Sequence, residues 1–256
     1  MRLRIVVFIM TICFTALSCK TKTENTLAIS NTSVTKTKDA PILSYIINPK
    51  KTSLKFYWKN EKDSIIKTFK NLKKEVETNN QELLFAMNGG MFKRDYSQQG
   101  LYVQKGKTLS KLDTINKGFG NFYLQPNGVF LITENGIPII TKTQDLKIYK
   151  DIYYATQSGP MLVINGTLHP KFNKGSFNLN IRNGVGVLPN GDLLFAMSTE
   201  KINFYDFATF FKNKGCENAL YLDGFVSKTY LPSKQYKQLE GEFGVIIAET
   251  RLINDN

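Results

Sequence analysis

Between residues 42 and 248 the chain is a succession of short apolar words separated by polar and turn-forming residues, glycine, proline and asparagine prominent among them. Leu83–Met87, Val129–Thr133, Met161–Ile164, Leu193–Met197 and Ala219–Leu222 are words of this kind and predict strands. Ile42–Asn48 and Leu54–Trp58 flank Pro49-Lys50-Lys51 as two more. Gly100–Gln104, Ile137–Thr141, Tyr153–Thr156, Val185–Leu188 and Gly244–Ala248 extend the set. Asn135-Gly136, Asn165-Gly166 and Pro189-Asn190-Gly191 predict tight turns between them. Phe122–Gln125 is predicted to pair with Val129–Thr133 across Pro126-Asn127-Gly128.

The period lengthens to that of a helix in two places. In Asp63–Thr78, capped by Asp63 or Ser64, Ile65, Ile66, Phe69, Leu72 and Val76 make one apolar face. In Asn203–Lys214, Phe204, Phe207, Phe210 and Phe211 turn inward and Gly215 stops the helix. Strands dominate, so residues 41–256 predict one α+β domain: a large mixed or mostly antiparallel sheet with a few flanking helices. The word Leu-Leu-Phe-Ala-Met occurs twice, at Leu83–Met87 and Leu193–Met197, a weak sign of duplication. Each helix also leads into a strand with a polar end, Asn88-Gly89-Gly90 after the first and Asp223-Gly224 after the second. If those strands are neighbours in one sheet, both polar ends open onto the same edge, and a site lies there.

The chain before this pattern reads as an address. Arg2 and Arg4 precede an apolar run from Ile5 to Leu17, too short to span a bilayer and suited to a signal-peptide core over residues 1–18. Ala16-Leu17-Ser18-Cys19 resembles a bacterial lipobox, with Cys19 as the lipidated residue. Residues 19–40 are rich in Thr, Lys, Ser and Asn and predict a disordered tether of roughly 25 Å. The expected location is the bacterial cell envelope, with a lipid anchor in the membrane. Cys13 leaves with the leader and Cys19 carries lipid, so Cys216 stands alone as a small packing residue, without a disulfide.

The formal charge is +13, or +11 once Arg2 and Arg4 are removed. That field draws in anions, yet no basic cluster interleaved with aromatics is present, and nucleic acid is not an expected partner. Of 34 Lys+Arg only five are arginine, and Arg94, Arg182 and Arg251 alone follow the leader. A lysine-rich chain that keeps Arg182 between Ile181 and Asn183-Gly184 points to a planar fork for phosphate or carboxylate. His169 is the one histidine, so a His-rich metal site is excluded. No nucleotide loop or Cys-x-x-Cys is legible, and neither metal nor cofactor is expected.

Several segments occur in a fixed order: Phe85-Ala86-Met87-Asn88-Gly89-Gly90-Met91-Phe92, Gly100-Leu101-Tyr102, Gly120-Asn121-Phe122, Ala155 to Met161 around Ser158-Gly159-Pro160, Leu168-His169-Pro170, Ile181 to Gly186, and Ala219 to Gly224. In this order and spacing the chain resembles the phosphodiester glycosidase family over residues 41 to 250. The resemblance implies an α+β domain that hydrolyses the bond between a sugar's anomeric carbon and a phosphodiester. It carries over Asn88, Arg182, Asp223 and Ser227 as polar site positions, with Gly89, Gly159 and Gly224 shaping the pocket. Gly90, Ser158 and Asn183 belong to the same segments. One departure stands out: the usual Asp-Gly-Gly reads Asp223-Gly224-Phe225, and a bulky ring there is expected to narrow the pocket or change the sugar accepted.

The chemistry can be argued from the residues. The leaving phosphomonoester has a second pKa of about 6 and needs its charge held more than it needs a proton, which is the role given to Arg182. An oxocarbenium ion wants a carboxylate as nucleophile or base, and Asp223 is the candidate, with Glu200 in reserve as its partner. A turn aspartate capping the Gly224 and Phe225 amides is the competing reading of Asp223. Asn88 and Ser227 would bind sugar hydroxyls or phosphate, although Asn88-Gly89 is also an ordinary turn pair. His169 reads as acid/base, phosphate donor or a loop histidine bonded to backbone. A tethered, non-catalytic receptor for anionic glycans is the alternative function.

Overall fold

The computed structural model describes residues 41–253; the expectations for the leader, Cys19 and the tether lie outside the described residues. In chain order the elements begin with β1 (Ile42–Ile47), β2 (Ser53–Tyr57), α1 (Phe69–Thr78), β3 (Gln81–Asn88), β4 (Tyr102–Gln104) and β5 (Lys107–Ser110). Then come β6 (Gly128–Thr133), β7 (Pro138–Lys142), β8 (Ile152–Ser158), β9 (Met161–Ile164) and β10 (Thr167–Leu168). The last are β11 (Asn183–Val187), β12 (Leu193–Ser198), α2 (Phe204–Asn213), β13 (Asn218–Tyr221), β14 (Thr229–Leu231), β15 (Tyr236–Lys237) and β16 (Ile246–Leu252).

The class is α+β, and every strand pairing is antiparallel. The strands divide among three sheets. Their orders are β1-β12-β11-β13-β9-β10, β15-β14-β3-β16-β2 and β5-β4-β8-β6-β7. One shared core takes Phe56, Phe85, Phe130, Tyr154, Phe195 and Leu220 from all three. Each sheet also has a covered outer face. Helix α2 covers the first against Leu162, Leu194 and Ala219. Helix α1 covers the second against Leu83 and Ala86. Leu146 and its neighbours cover the third against Val129 and Leu131.

Two-sided burial explains why the strand words are continuously apolar rather than alternating. In the second Leu-Leu-Phe-Ala-Met, Leu193, Phe195 and Met197 face the shared core while Leu194 and Ala196 face α2. The two copies of that word lie in different sheets and meet, Phe85 and Phe195 having ring centroids 5.1 Å apart.

Two predicted elements are corrected. Helix α1 starts at Phe69, not Asp63, with Thr68 as its N-cap accepting from the Asn71 amide. Asp63 and Lys67 are left-handed (φ 60° and 63°), and the Asn60 side chain holds the Lys62 and Ser64 amides in a turn, so residues 60–67 cannot continue a helix backwards. Phe122–Gln125 is not a strand. Asn121–Tyr123 forms a single 3-10 turn, Asn127 Nδ2 bonds the Phe122 carbonyl, and β6 pairs with β7 and β8 instead.

Candidate active site

Strands β3 and β13 belong to different sheets, so they are not the neighbours the sequence pattern invited. Their polar ends meet all the same, across the seam between the two sheets. Asn183, the first residue of β11, joins them: its Nδ2 donates to the Asn88 carbonyl and to Asn88 Oδ1, both at 2.9 Å. Its Oδ1 accepts from the Asp223 amide at 2.9 Å, and its carbonyl accepts from the Leu222 amide at 3.2 Å. Asn88 Oδ1 also takes the Lys228 amide at 2.9 Å. Both amides are buried and help position backbone; Asn183 uses both its amide hydrogens on Asn88, while Asn88 Nδ2 makes one long contact, 3.5 Å to the Asp223 carbonyl, and keeps donor capacity. Ser158 and Ser227 also hold backbone, their hydroxyls donating to the Leu222 carbonyl (2.6 Å) and the Asp223 carbonyl (2.5 Å), with acceptor lone pairs left over.

The scaffold thus fixes one carboxyl. Asp223 is 8% exposed, and burial pushes its pKa up to about 7, the Phe225 amide opposing the rise. That amide donates to Asp223 Oδ1 at 3.3 Å, so the residue caps its turn as well as presenting a perturbed acid. No arginine or lysine forms an ion pair with it among the described residues. Glu200 is exposed and shares no hydrogen bond with this cluster, which leaves Asp223 without the second carboxylate proposed for it.

Arg182 is completely buried. Its Nε donates to the Ile202 carbonyl at 2.8 Å, and Nη2 to Asn178, at 2.8 Å to the carbonyl and 3.2 Å to Oδ1. Only Nη1, 3.4 Å from the Tyr221 hydroxyl, faces a weak partner. The guanidinium carbon lies 3.5 Å from the centroid of Phe204, so the cation is stacked as well as bonded. The edge of the fork that would grip a phosphate is therefore turned onto backbone; among the described residues no carboxylate pairs with the charge.

His169 lies at the far end of the same aromatic stack. It packs on Phe172 (4.7 Å between centroids), Phe172 packs on Phe204 (4.9 Å), and Phe204 meets Tyr221 edge-on (4.8 Å). Its Nδ1 accepts from the Lys171 amide at 3.2 Å, which assigns the proton to Nε2. That Nε2 is buried beside the Gln125 backbone, which opposes the shift, and burial drives the imidazole pKa down to about 4. Burial thus favours the neutral imidazole of His169.

The glycines serve close approach rather than freedom. A Cβ at Gly89 would strike Ile247, at Gly90 the Thr156 hydroxyl, and at Gly159 Asn127 and the Phe122 carbonyl. At Gly224 it would overlap the Tyr221 hydroxyl. Phe225, expected to narrow the pocket, instead projects into solvent. Tyr221, the Asn121 side chain beside its hydroxyl, and Phe204 are the site residues that sequence reasoning missed. Tyr221 carried a signal: it lies between Leu220 and Leu222, which face the shared core, and so must point the other way.

Cys216 is buried as expected, filling the space a Cβ on Gly186 would need, and burial raises its thiol pKa to about 11.

Comparison with known proteins agrees with this arrangement. Residues 81–243 match the family model for phosphodiester glycosidase. The chain is 35% identical over 191 residues to uncharacterized protein YigE of Escherichia coli (strain K12), covering 74% of each. The fold is similar to the zebrafish N-acetylglucosamine-1-phosphodiester alpha-N-acetylglucosaminidase catalytic domain auto-inhibited by pro-peptide. There the TM-score is 0.55 at 15% identity, over 83% of this chain and 84% of that one. A hypothetical protein from Synechocystis shares the fold with a TM-score of 0.50 and 14% identity, over 82% of this chain and 59% of that one. With its segments, its fold and its matched residues in agreement, the chain belongs to the phosphodiester glycosidase family.

Proposed function

We propose that this protein hydrolyses the bond between a sugar's anomeric carbon and a phosphodiester, releasing a reducing sugar and a phosphomonoester. Family membership supports the reaction class. The observation that carries the reading is Asp223: a buried carboxyl without a cation partner, poised near pH 7 at the junction of two sheets. In its ionised form it faces the oxocarbenium ion as nucleophile, or takes a proton from the water whose hydroxyl joins the anomeric carbon. The bonding electrons leave with the phosphate oxygen, whose second pKa of about 6 makes protonation unnecessary. Arg182 supplies an uncompensated buried charge, felt strongly in a low-dielectric site. Completely buried, it acts on the leaving group through its field, and Nη1 reaches the Tyr221 hydroxyl at 3.4 Å. His169 Nε2–H, beside the Gln125 backbone, is a further proposed donor.

The leader and the lipobox-like Ala16-Leu17-Ser18-Cys19 support action from a lipid anchor at Cys19, on anionic glycans of the cell envelope. The test is incubation with anomeric hexose and N-acetylhexosamine phosphodiesters, measuring reducing sugar and phosphomonoester together. Wild type is expected to release both in equal amounts, and Asp223→Asn to lose about 100-fold or more in kcat. Sugar phosphates that bind but are never cleaved would overturn the enzyme reading in favour of a glycan receptor.

A further inference from the structure

Three phenylalanines are left almost wholly in water: Phe119, Phe177 and Phe225, at 101, 96 and 97% exposure. They sit on three separate loops, and all three loops are rooted at the Tyr221 hydroxyl. Asn121, two residues after Phe119, stands beside that hydroxyl. Asn178, next to Phe177, holds the guanidinium of Arg182, whose Nη1 reaches the same hydroxyl at 3.4 Å. Gly224, next to Phe225, packs directly on it. Ile115 and Leu179, also exposed, extend the first two loops. We infer that these three loops form one surface that docks onto an anionic lipid bilayer, independently of any lipid at Cys19.

The charge of the loops selects this occupant. Lys111, Lys117, Lys171, Lys174 and Lys228 belong to the same three loops, and none forms an ion pair among the described residues. The two acids in these loops are turned inward. Asp113 accepts from the Ile115 amide and the Tyr123 hydroxyl, and Asp223 is buried. Loops that carry both apolar tips and unpaired lysines match a bilayer interface, where rings enter the acyl boundary and ammonium groups meet lipid phosphates. A soluble sugar fits less well: phenyl rings have no polar atom to orient hydroxyls, and Ile115 and Leu179 present no flat face. The inference does not depend on the proposed hydrolysis, and its test reads no turnover.

The test places a local reporter in the full chain carrying Cys19→Ala. Phe177→Trp and Phe225→Trp are compared with Ile137→Trp, an exposed position at the foot of β7 outside the three loops, each after subtraction of the Trp58 signal. Vesicles are either pure phosphatidylcholine or rich in brominated phosphatidylglycerol. The expected result is blue-shifted, bromine-quenched emission at positions 177 and 225 with anionic vesicles only, and none at 137. Adding Lys171→Glu and Lys174→Glu is expected to raise the lipid required by about tenfold or more. Equal quenching at position 137, no quenching at 177 and 225, or a response to soluble sugar phosphate in place of vesicles would overturn the inference.

Discussion

Asn183 reaches Asn88, 95 residues earlier in the chain, with one amide nitrogen that serves both the carbonyl and the side-chain oxygen at 2.9 Å. Since β11 and β3 lie in different sheets, this contact fastens the seam on which Asp223 is mounted. Asn183→Ala leaves the Asn88 oxygens and the Asp223 amide short of partners. The expected loss is about 2–4 kcal/mol, read as a fall in Tm of roughly 2–4 °C per kcal/mol. An unchanged Tm would show that the seam holds without it.

The pH profile of kcat/KM is expected to rise through an inflection near 7, as Asp223 ionises. A profile flat from pH 5 to 9, measured on a cleaved phosphodiester, would remove Asp223 from the reaction as base or nucleophile.

Stability should run the other way. The folded-state pKa of Asp223, about 7, lies above the ordinary carboxylate value, so the folded protein binds this proton more tightly than the unfolded chain does. That contribution is present at low pH and is lost as pH rises through the window from about 4 to about 7. Asp223→Asn is therefore expected to be more stable than wild type by about 1–3 kcal/mol at pH 8, with the gap closing near pH 4. Denaturant melts at the two pH values check this; a variant less stable at pH 8 would contradict the desolvation account.

Arg182→Lys keeps the charge and loses the geometry. A lysine cannot bond the Ile202 and Asn178 carbonyls together and stack on Phe204. The expected consequence is structural as well as catalytic, about 2–4 kcal/mol of stability. Urea melts reading a full-strength fold would contradict that network.

His169, as the sole histidine, gives an unambiguous magnetic resonance signal. Its nitrogen shifts are expected to report neutral imidazole protonated on Nε2, unchanged from pH 8 to pH 5, with protonation only near 4. A midpoint near 6.5 would show a solvated ring.

The strand words, the second helix and the polar strand ends were legible because each obeys a local rule of period or turn chemistry. The start of α1 was not, because Ile65 and Ile66 keep helical spacing while Asp63 and Lys67 adopt left-handed backbone. The division into three sheets is set by long-range pairing that no local window contains. Arg182 and Asp223 were legible as unusual residues, yet their treatment was not. Arg182 is held by carbonyls from Ile202 and Asn178, partners that carry no side-chain signal. The part Asn88 and Asn183 play in joining two sheets was not legible, because exposed and buried amides look alike in sequence.

The Tyr221 hydroxyl fills the space where any side chain at position 224 would begin, and its ring carbon would still lie 2.6 Å from an added Cβ. Removing the hydroxyl alone, as Tyr221→Phe, would therefore not admit alanine at 224. The two positions are locked epistatically: a lineage leaving glycine must first shrink the neighbouring ring, and in doing so would strip Arg182 of its Nη1 contact.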